Sequence, residues 1–175
     1  MFECICGSPD AVDDKVLAPT GEQSAQPAAP DPTLRIEANN EAIYKEFKSQ
    51  LANGQIKVIK HCSDKCGRQR VLFCDAGFTK IGWKEPGLAA KNPMLPFAQC
   101  TQVRRATDED PDSKKGGHSY CGTEILRNSM HAQYKNKAFS LIFPGKRTLD
   151  IQVETEALCN TYVRCFELLV KEAQH

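Results

Sequence analysis

Five basic side chains crowd into fourteen residues of this chain: Lys57, Lys60, Lys65, Arg68 and Arg70. One acid, Asp64, opposes them, so the stretch carries five positive charges less one. The whole chain has 23 Lys+Arg against 22 Asp+Glu, a net charge of +1. Such a cluster suits a multiply charged phosphate group, because Arg forks and Lys ammoniums supply charge-assisted hydrogen bonds. The bland reading is a solvated hairpin edge kept soluble by its charges.

Sulfur is the second chemistry. The chain has 9 cysteines, at positions 4, 6, 62, 66, 74, 100, 121, 159 and 165, with no framework spacing. They read as reduced thiols in a cytosolic setting. Cys74, Cys159 and Cys165 fall in hydrophobic runs, where Cys acts as a small buried hydrophobe. Cys4 and Cys6 sit in Met-Phe-Glu-Cys-Ile-Cys-Gly, as accessible thiols that could carry thioester-linked acyl chains. Two such chains anchor stably, whereas one holds marginally. Against this, Glu3, Asp10, Asp13 and Asp14 would be repelled by an anionic leaflet, at about 1 kcal/mol per charge close to it.

Other chemistries find less support. A zinc site would draw on His61, Cys62, Cys66, Cys74, His118 and Cys121, but no paired C-x2-C knuckle exists and strand cysteines alternate faces. No metal or other cofactor is therefore expected. There is no G-x-x-x-x-G-K-[ST] loop, no H-E-x-x-H and no G-x-S-x-G. Asp108-Glu109-Asp110 reads as a solvated loop. The chain reads as a non-enzyme.

The elements that must position these groups follow from composition and period. A length of 175 residues favours one domain with a tail. Near-neutral charge argues against a nucleic-acid binder. No apolar run approaches the roughly 20 residues of a membrane-spanning helix, and the first residues do not form a secretory signal. Pro9 to Pro32 holds half of the 10 prolines and almost nothing large and apolar. Residues 1–35 therefore read as a flexible tail, and 36–175 as the folded domain.

Within that domain, Ile43, Phe47 and Leu51 recur at helical spacing, which predicts a helix over 40–53 capped by Asn40 and stopped at Asn53-Gly54. Short strands follow at 55–61, 70–74 and 79–83, with a weaker one at 97–104. Residues 105–136 read as a long polar loop with a short helix near 123–131. Ala138–Phe143 and Leu149–Val153 alternate on either side of a Pro144-Gly145 turn, which predicts a hairpin. A helix over 154–171 closes the chain, with Leu158, Tyr162, Phe166 and Leu169 on one face. Antiparallel strands with one closing helix imply a small bent sheet or barrel plugged at one end.

The run Ala138-Phe-Ser-Leu-Ile-Phe-Pro-Gly-Lys-Arg-Thr-Leu-Asp-Ile resembles the sixth and seventh strands of a pleckstrin homology (PH) domain, of the kind in phosphoinositide-specific phospholipases C. Residues 156–171 then match the PH C-terminal helix, with Tyr162 where that family usually has tryptophan. Gln55–Trp83, with its Arg-Gln-Arg-Val-Leu-Phe run, resembles the first three strands. The likeness covers about residues 50–172. It implies a mainly β, PH-like, seven-stranded bent antiparallel barrel capped by one helix.

In PH domains that bind phosphoinositides, basic residues on the first two strands ring the open end. Lys60 and Arg68-Gln69-Arg70 match that pattern, with Lys57 as a second lysine and Lys80 on the third strand to complete the ring. A cysteine-bearing N-terminus, a low-complexity linker and a lone PH fold are also similar to the inner membrane complex sub-compartment proteins of apicomplexan parasites. Those usually begin Met-Gly. Phe2 stands here instead, which excludes N-myristoylation and leaves Cys4 and Cys6 as the acyl sites. The resemblance implies a non-catalytic adaptor on the cytoplasmic face of a cortical membrane, with a membrane surface and proteins as partners. The alternative is a module that reads phosphoinositide or another anionic lipid.

Overall fold

The structure is a computed structural model that describes residues 32–175 apart from Asn92 and residues 116–117. Side chains are described from residue 39 onward, apart from 92 and 114–119. The tail residues 1–31, with Cys4 and Cys6, lie outside the described residues.

Helix α1 runs over Pro32–Ala52. It begins eight residues before the expected start at Asn40, which is therefore an interior residue and not the cap. Asn in a helix interior costs only about 0.7 kcal/mol. Its side-chain oxygen is used elsewhere, accepting from Arg164 Nη1 at 3.1 Å. The predicted stop is correct: Gly54 takes φ +61°, a conformation open to glycine, and its N–H donates to Leu51 O.

Strands β1 (Ile56–His61), β2 (Gly67–Cys74), β3 (Lys80–Lys84) and β4 (Leu95–Pro96) form an antiparallel meander. Strand β5 (Gln102–Arg105) follows a short turn at Phe97–Gln99. Strands β8 (Ala138–Phe143) and β9 (Arg147–Gln152) form the predicted hairpin, and β9 pairs with β1. One seven-stranded sheet results, ordered β4-β3-β2-β1-β9-β8-β5. Its edge strands do not pair with each other among the described residues, so the expected barrel is an open sheet. Leu95 from one edge and Val103 from the other still reach one core, so the sheet curves around it.

Helix α3 (Glu156–Ala173) covers that core. Thr155 caps it, its side chain accepting from the Leu158 N–H. Of the predicted face, Tyr162, Phe166 and Leu169 are buried and Leu158 is half-buried, and Cys159, Val163, Cys165 and Val170 join them. Phe166 is fully buried, with the rings of Phe47, Phe139 and Phe97 at 5.1, 5.7 and 6.2 Å. Tyr162 packs on Phe47 at 5.3 Å, so an aromatic ring still fills the place where PH domains usually have tryptophan.

The long loop expected over 105–136 is instead structured, and the short helix expected near 123–131 is present. Strands β6 (Glu109–Lys115) and β7 (His118–Cys121) form a second, two-stranded sheet with a bulge after Asp110. Helix α2 (Glu124–Ser129) and a short turn at Ala132–Lys137 follow. The cause is a buried ionic group that a hydrophobic pattern does not signal. Arg104 Nη1 reaches Asp110 Oδ1 at 2.8 Å, and Arg127 Nη1 reaches Oδ2 at 3.2 Å. Arg127 also donates to Gly122 O and Ser113 Oγ, which ties the hairpin to α2.

Candidate functional site

The β1–β2 hairpin sorts its charges by alternation. Ile56 and Val58 are buried in the core, and Lys60 extends the same face toward the hairpin loop. Register places Arg70 opposite Val58 and Arg68 opposite Lys60. Lys60, Arg68 and Arg70 thus share one face at one end of the sheet. Trp83, opposite Leu72 on β3, lies on that face too, and the Lys60 ammonium sits 4.9 Å from its ring centre.

The other two predicted residues are elsewhere. Lys57 is exposed on the opposite face of β1. It lines a pocket of about 340 Å³ that Arg70 also borders, together with Tyr134, Lys137, Gln152 and Glu154. Lys80 opens β3 beside the β2–β3 turn, where Cys74 pairs with Ile81. That is the far end of the sheet from the β1–β2 loop, so Lys80 does not complete the ring.

Each of the three clustered cations already has a partner. Arg68 pairs with Asp64 across the loop. Arg70 Nη2 lies 3.2 Å from Glu85 Oε1, just past the end of β3, and its Nη1 donates to Gln69 O. Lys60 Nζ donates to His61 O at 3.3 Å and to Cys62 Sγ at 3.4 Å. Glu85 was missed by a charge count that ended at the hairpin. Its place two residues beyond Trp83, on the same side of the strand, is the signal that could have found it. With Asp64 and Glu85 included, the face holds three cations and two carboxylates. Exposed ion pairs contribute only about 0–1 kcal/mol. Arg68 can exchange Asp64 for an arriving anion at small cost, while Arg70, its side chain only 16% exposed, is held more firmly.

The thiols divide in the same way. Burial pushes Cys74 up to about 12, and Cys159 and Cys165 each up to about 11. Cys159 and Cys165 are buried as expected, whereas Cys74 is half-buried. Cys62 is half-buried and Cys66 exposed, both at the loop. His61 points to the other face, between Ser129 Oγ at 2.9 Å and Gln152 Oε1 at 3.1 Å. Among the described residues no group of three or more His, Cys, Asp and Glu could hold a metal ion. In the same residues no helix is long and apolar enough to cross a membrane.

A curved antiparallel sheet of seven strands, covered by a C-terminal helix, is a PH-like fold. Inner Membrane Complex Sub-compartment Protein 1 from Toxoplasma gondii has a similar structure, with a TM-score of 0.51 and 9% identity over 74% of this chain and 92% of that one. Sub-compartment Protein 3 from the same organism gives a TM-score of 0.49 at 8% identity, covering 77% of this chain and 88% of that chain. The PH domain from TgAPH gives 0.46 at 12% identity, covering 77% and 98%. No family model matches the chain, and no curated protein matches it.

Proposed function

We propose that this chain is a non-catalytic PH-fold adaptor, held peripherally on the cytoplasmic face of a membrane by acyl thioesters at Cys4 and Cys6, where its domain docks protein partners. The observation that carries this reading is the fold shared with a protein named for the inner membrane complex, over 92% of that protein's chain. The inner membrane complex is accordingly the proposed site if the organism is an apicomplexan. Two cysteines separated by a single residue supply the pair of acyl chains that stable anchoring needs. Tail anchoring also requires no tuned pocket, which suits a basic face whose cations are largely paired.

The test is localisation of the full chain in its own cells. Cys4→Ser/Cys6→Ser is expected to move the protein from the membrane pellet to the supernatant, and to remove hydroxylamine-sensitive acyl labelling. A single substitution should leave partial, reversible attachment. An unchanged membrane signal in the double variant would sink the proposal.

A second reading, headgroup recognition, is favoured by the convergence of Lys60, Arg68 and Arg70 on one face. Unacylated protein is then expected to bind phosphoinositide-bearing liposomes more tightly than phosphatidylcholine ones. Arg70→Ala should reduce that binding at least tenfold. Equal binding to both liposomes would remove this reading.

A further inference from the structure

We propose that Cys62 and Cys66 form a reversible disulfide across the mouth of the β1–β2 hairpin, making this loop a redox modification site. The backbone sets the two residues face to face. Cys62 N–H donates to Cys66 O at 3.1 Å, and Lys65 N–H donates to Cys62 O at 3.2 Å. Lys65 takes φ +63°, the left-handed residue that closes a three-residue hairpin loop. The register ends at His61 opposite Gly67, so Cys62 and Cys66 are the next opposed residues, joined by a single bond, and opposed antiparallel residues have Cα atoms about 4.5–5.5 Å apart, inside the roughly 4.4–6.8 Å range that a disulfide spans. The side chains also share a face. Cys62 follows Lys60 by two positions and Cys66 precedes Arg68 by two, and Lys60 and Arg68 are register partners.

Access sets this pair apart from the packed thiols, and opposition across one loop sets it apart from half-buried Cys121 on β7. Cys100, Cys159 and Cys165 are buried, and half-buried Cys74 is pushed up by burial, so each is a poor nucleophile. Cys66 is exposed. The Lys60 ammonium, 3.4 Å from Cys62 Sγ, supplies a counter-charge for a thiolate formed during exchange. The loop also carries Asp64, which pairs with Arg68 and accepts from Cys66 N–H at 3.3 Å. A bond from Cys62 to Cys66 therefore fixes the loop that holds Asp64, one of the two carboxylates of the basic face.

The oxidant is a small-molecule disulfide, glutathione disulfide being the probe. Cys66 sulfur, after losing its proton, attacks glutathione disulfide. The glutathione S–S bond breaks, a mixed disulfide forms and one glutathione thiolate leaves. Cys62 sulfur, deprotonated in turn, attacks the Cys66 sulfur of the mixed disulfide and expels the second glutathione. Two electrons pass from the cysteine pair to glutathione disulfide, and the two released protons end on two glutathione thiols.

The experiment uses the full chain carrying Cys4→Ser/Cys6→Ser, so that the tail thiols cannot report. The protein is equilibrated in buffers of rising glutathione disulfide to glutathione ratio, quenched by alkylation and mapped by mass spectrometry. Two alkylation sites should disappear together, and tryptic cleavage at Lys65 should leave a Cys62-bearing peptide joined to a Cys66-bearing one. Adding Cys62→Ser should trap one glutathione on Cys66, at ratios where the parent shows the intrachain bond. Full alkylation of both residues at every ratio overturns the proposal. So does a stable glutathione adduct on the parent, or pairing of either cysteine with a third cysteine or a second chain.

Discussion

Phe166→Ala is expected to lower unfolding stability by about 3–5 kcal/mol, the range for truncating a buried phenylalanine. A small domain holds only about 5–15 kcal/mol in total, so the variant should be partly unfolded at body temperature. The reason lies in how many elements meet at one ring. Phe47 brings α1, Phe97 the turn before β5, and Phe139 strand β8, all within 6.2 Å of Phe166 on α3. Removing the ring leaves three aromatic neighbours without a common partner, and a helix, a turn and a strand cannot all collapse into one void. Phe166→Leu keeps most of the volume and should cost far less. Urea unfolding with a tryptophan or circular dichroism signal measures both. A loss of less than about 1 kcal/mol for the alanine variant would mean that α3 is not what holds the curved sheet.

The parts of this fold legible in the sequence are those in which burial and hydrophobicity coincide. Helix α3 announces itself because Tyr162, Phe166 and Leu169 return at helical spacing. The β8–β9 hairpin does so through Phe139, Leu141 and Phe143 alternating up to Pro144-Gly145. The β6–β7 hairpin was not legible, because Arg104 and Asp110 are buried by pairing with each other, while charge in a sequence reads as exposure. The upstream turns of α1 were missed for a related reason: Asn39 and Asn40 are ordinary boundary residues that here lie within the helix. On the basic face, the neighbouring positions of Lys60, Arg68 and Arg70 are legible because strand alternation across a short loop brings them together. Lys80 was misplaced because β3 runs back along β2, so its first residue lies farthest from the loop. By residue type alone, Cys62 and Cys66 read as candidate zinc ligands. Their face-to-face position follows from the loop turn, which spacing alone does not reveal.

Asp150→Ala is expected to cost about 2–4 kcal/mol, since an orphaned buried hydrogen-bonding group costs about 1–3 kcal/mol and this substitution strands more than one. Asp150 is fully buried. Ser140 Oγ donates to its Oδ1 at 2.7 Å, and the hydroxyls of Thr123 and Thr148 converge on the same carboxylate. Thr123 has a second duty as the cap of α2, its side-chain oxygen accepting from the Leu126 N–H. The other end of α2 is held by Ser129, which faces His61 on β1, the register partner of Asp150. A six-residue helix, too short to persist alone, is thus fixed at both ends to neighbouring strands. Loss of Asp150 should release the first end and uncover Leu126, which is buried against Ala106 and Ala138. Amide exchange at Leu126 and Met130 should then accelerate well beyond that in α3. Asp150→Asn should retain much of the stability, because the hydroxyls can rotate to accept from the amide nitrogen. If Asp150→Ala unfolds at the same denaturant midpoint as the parent and α2 exchanges no faster, the buried carboxylate is not the anchor of that helix.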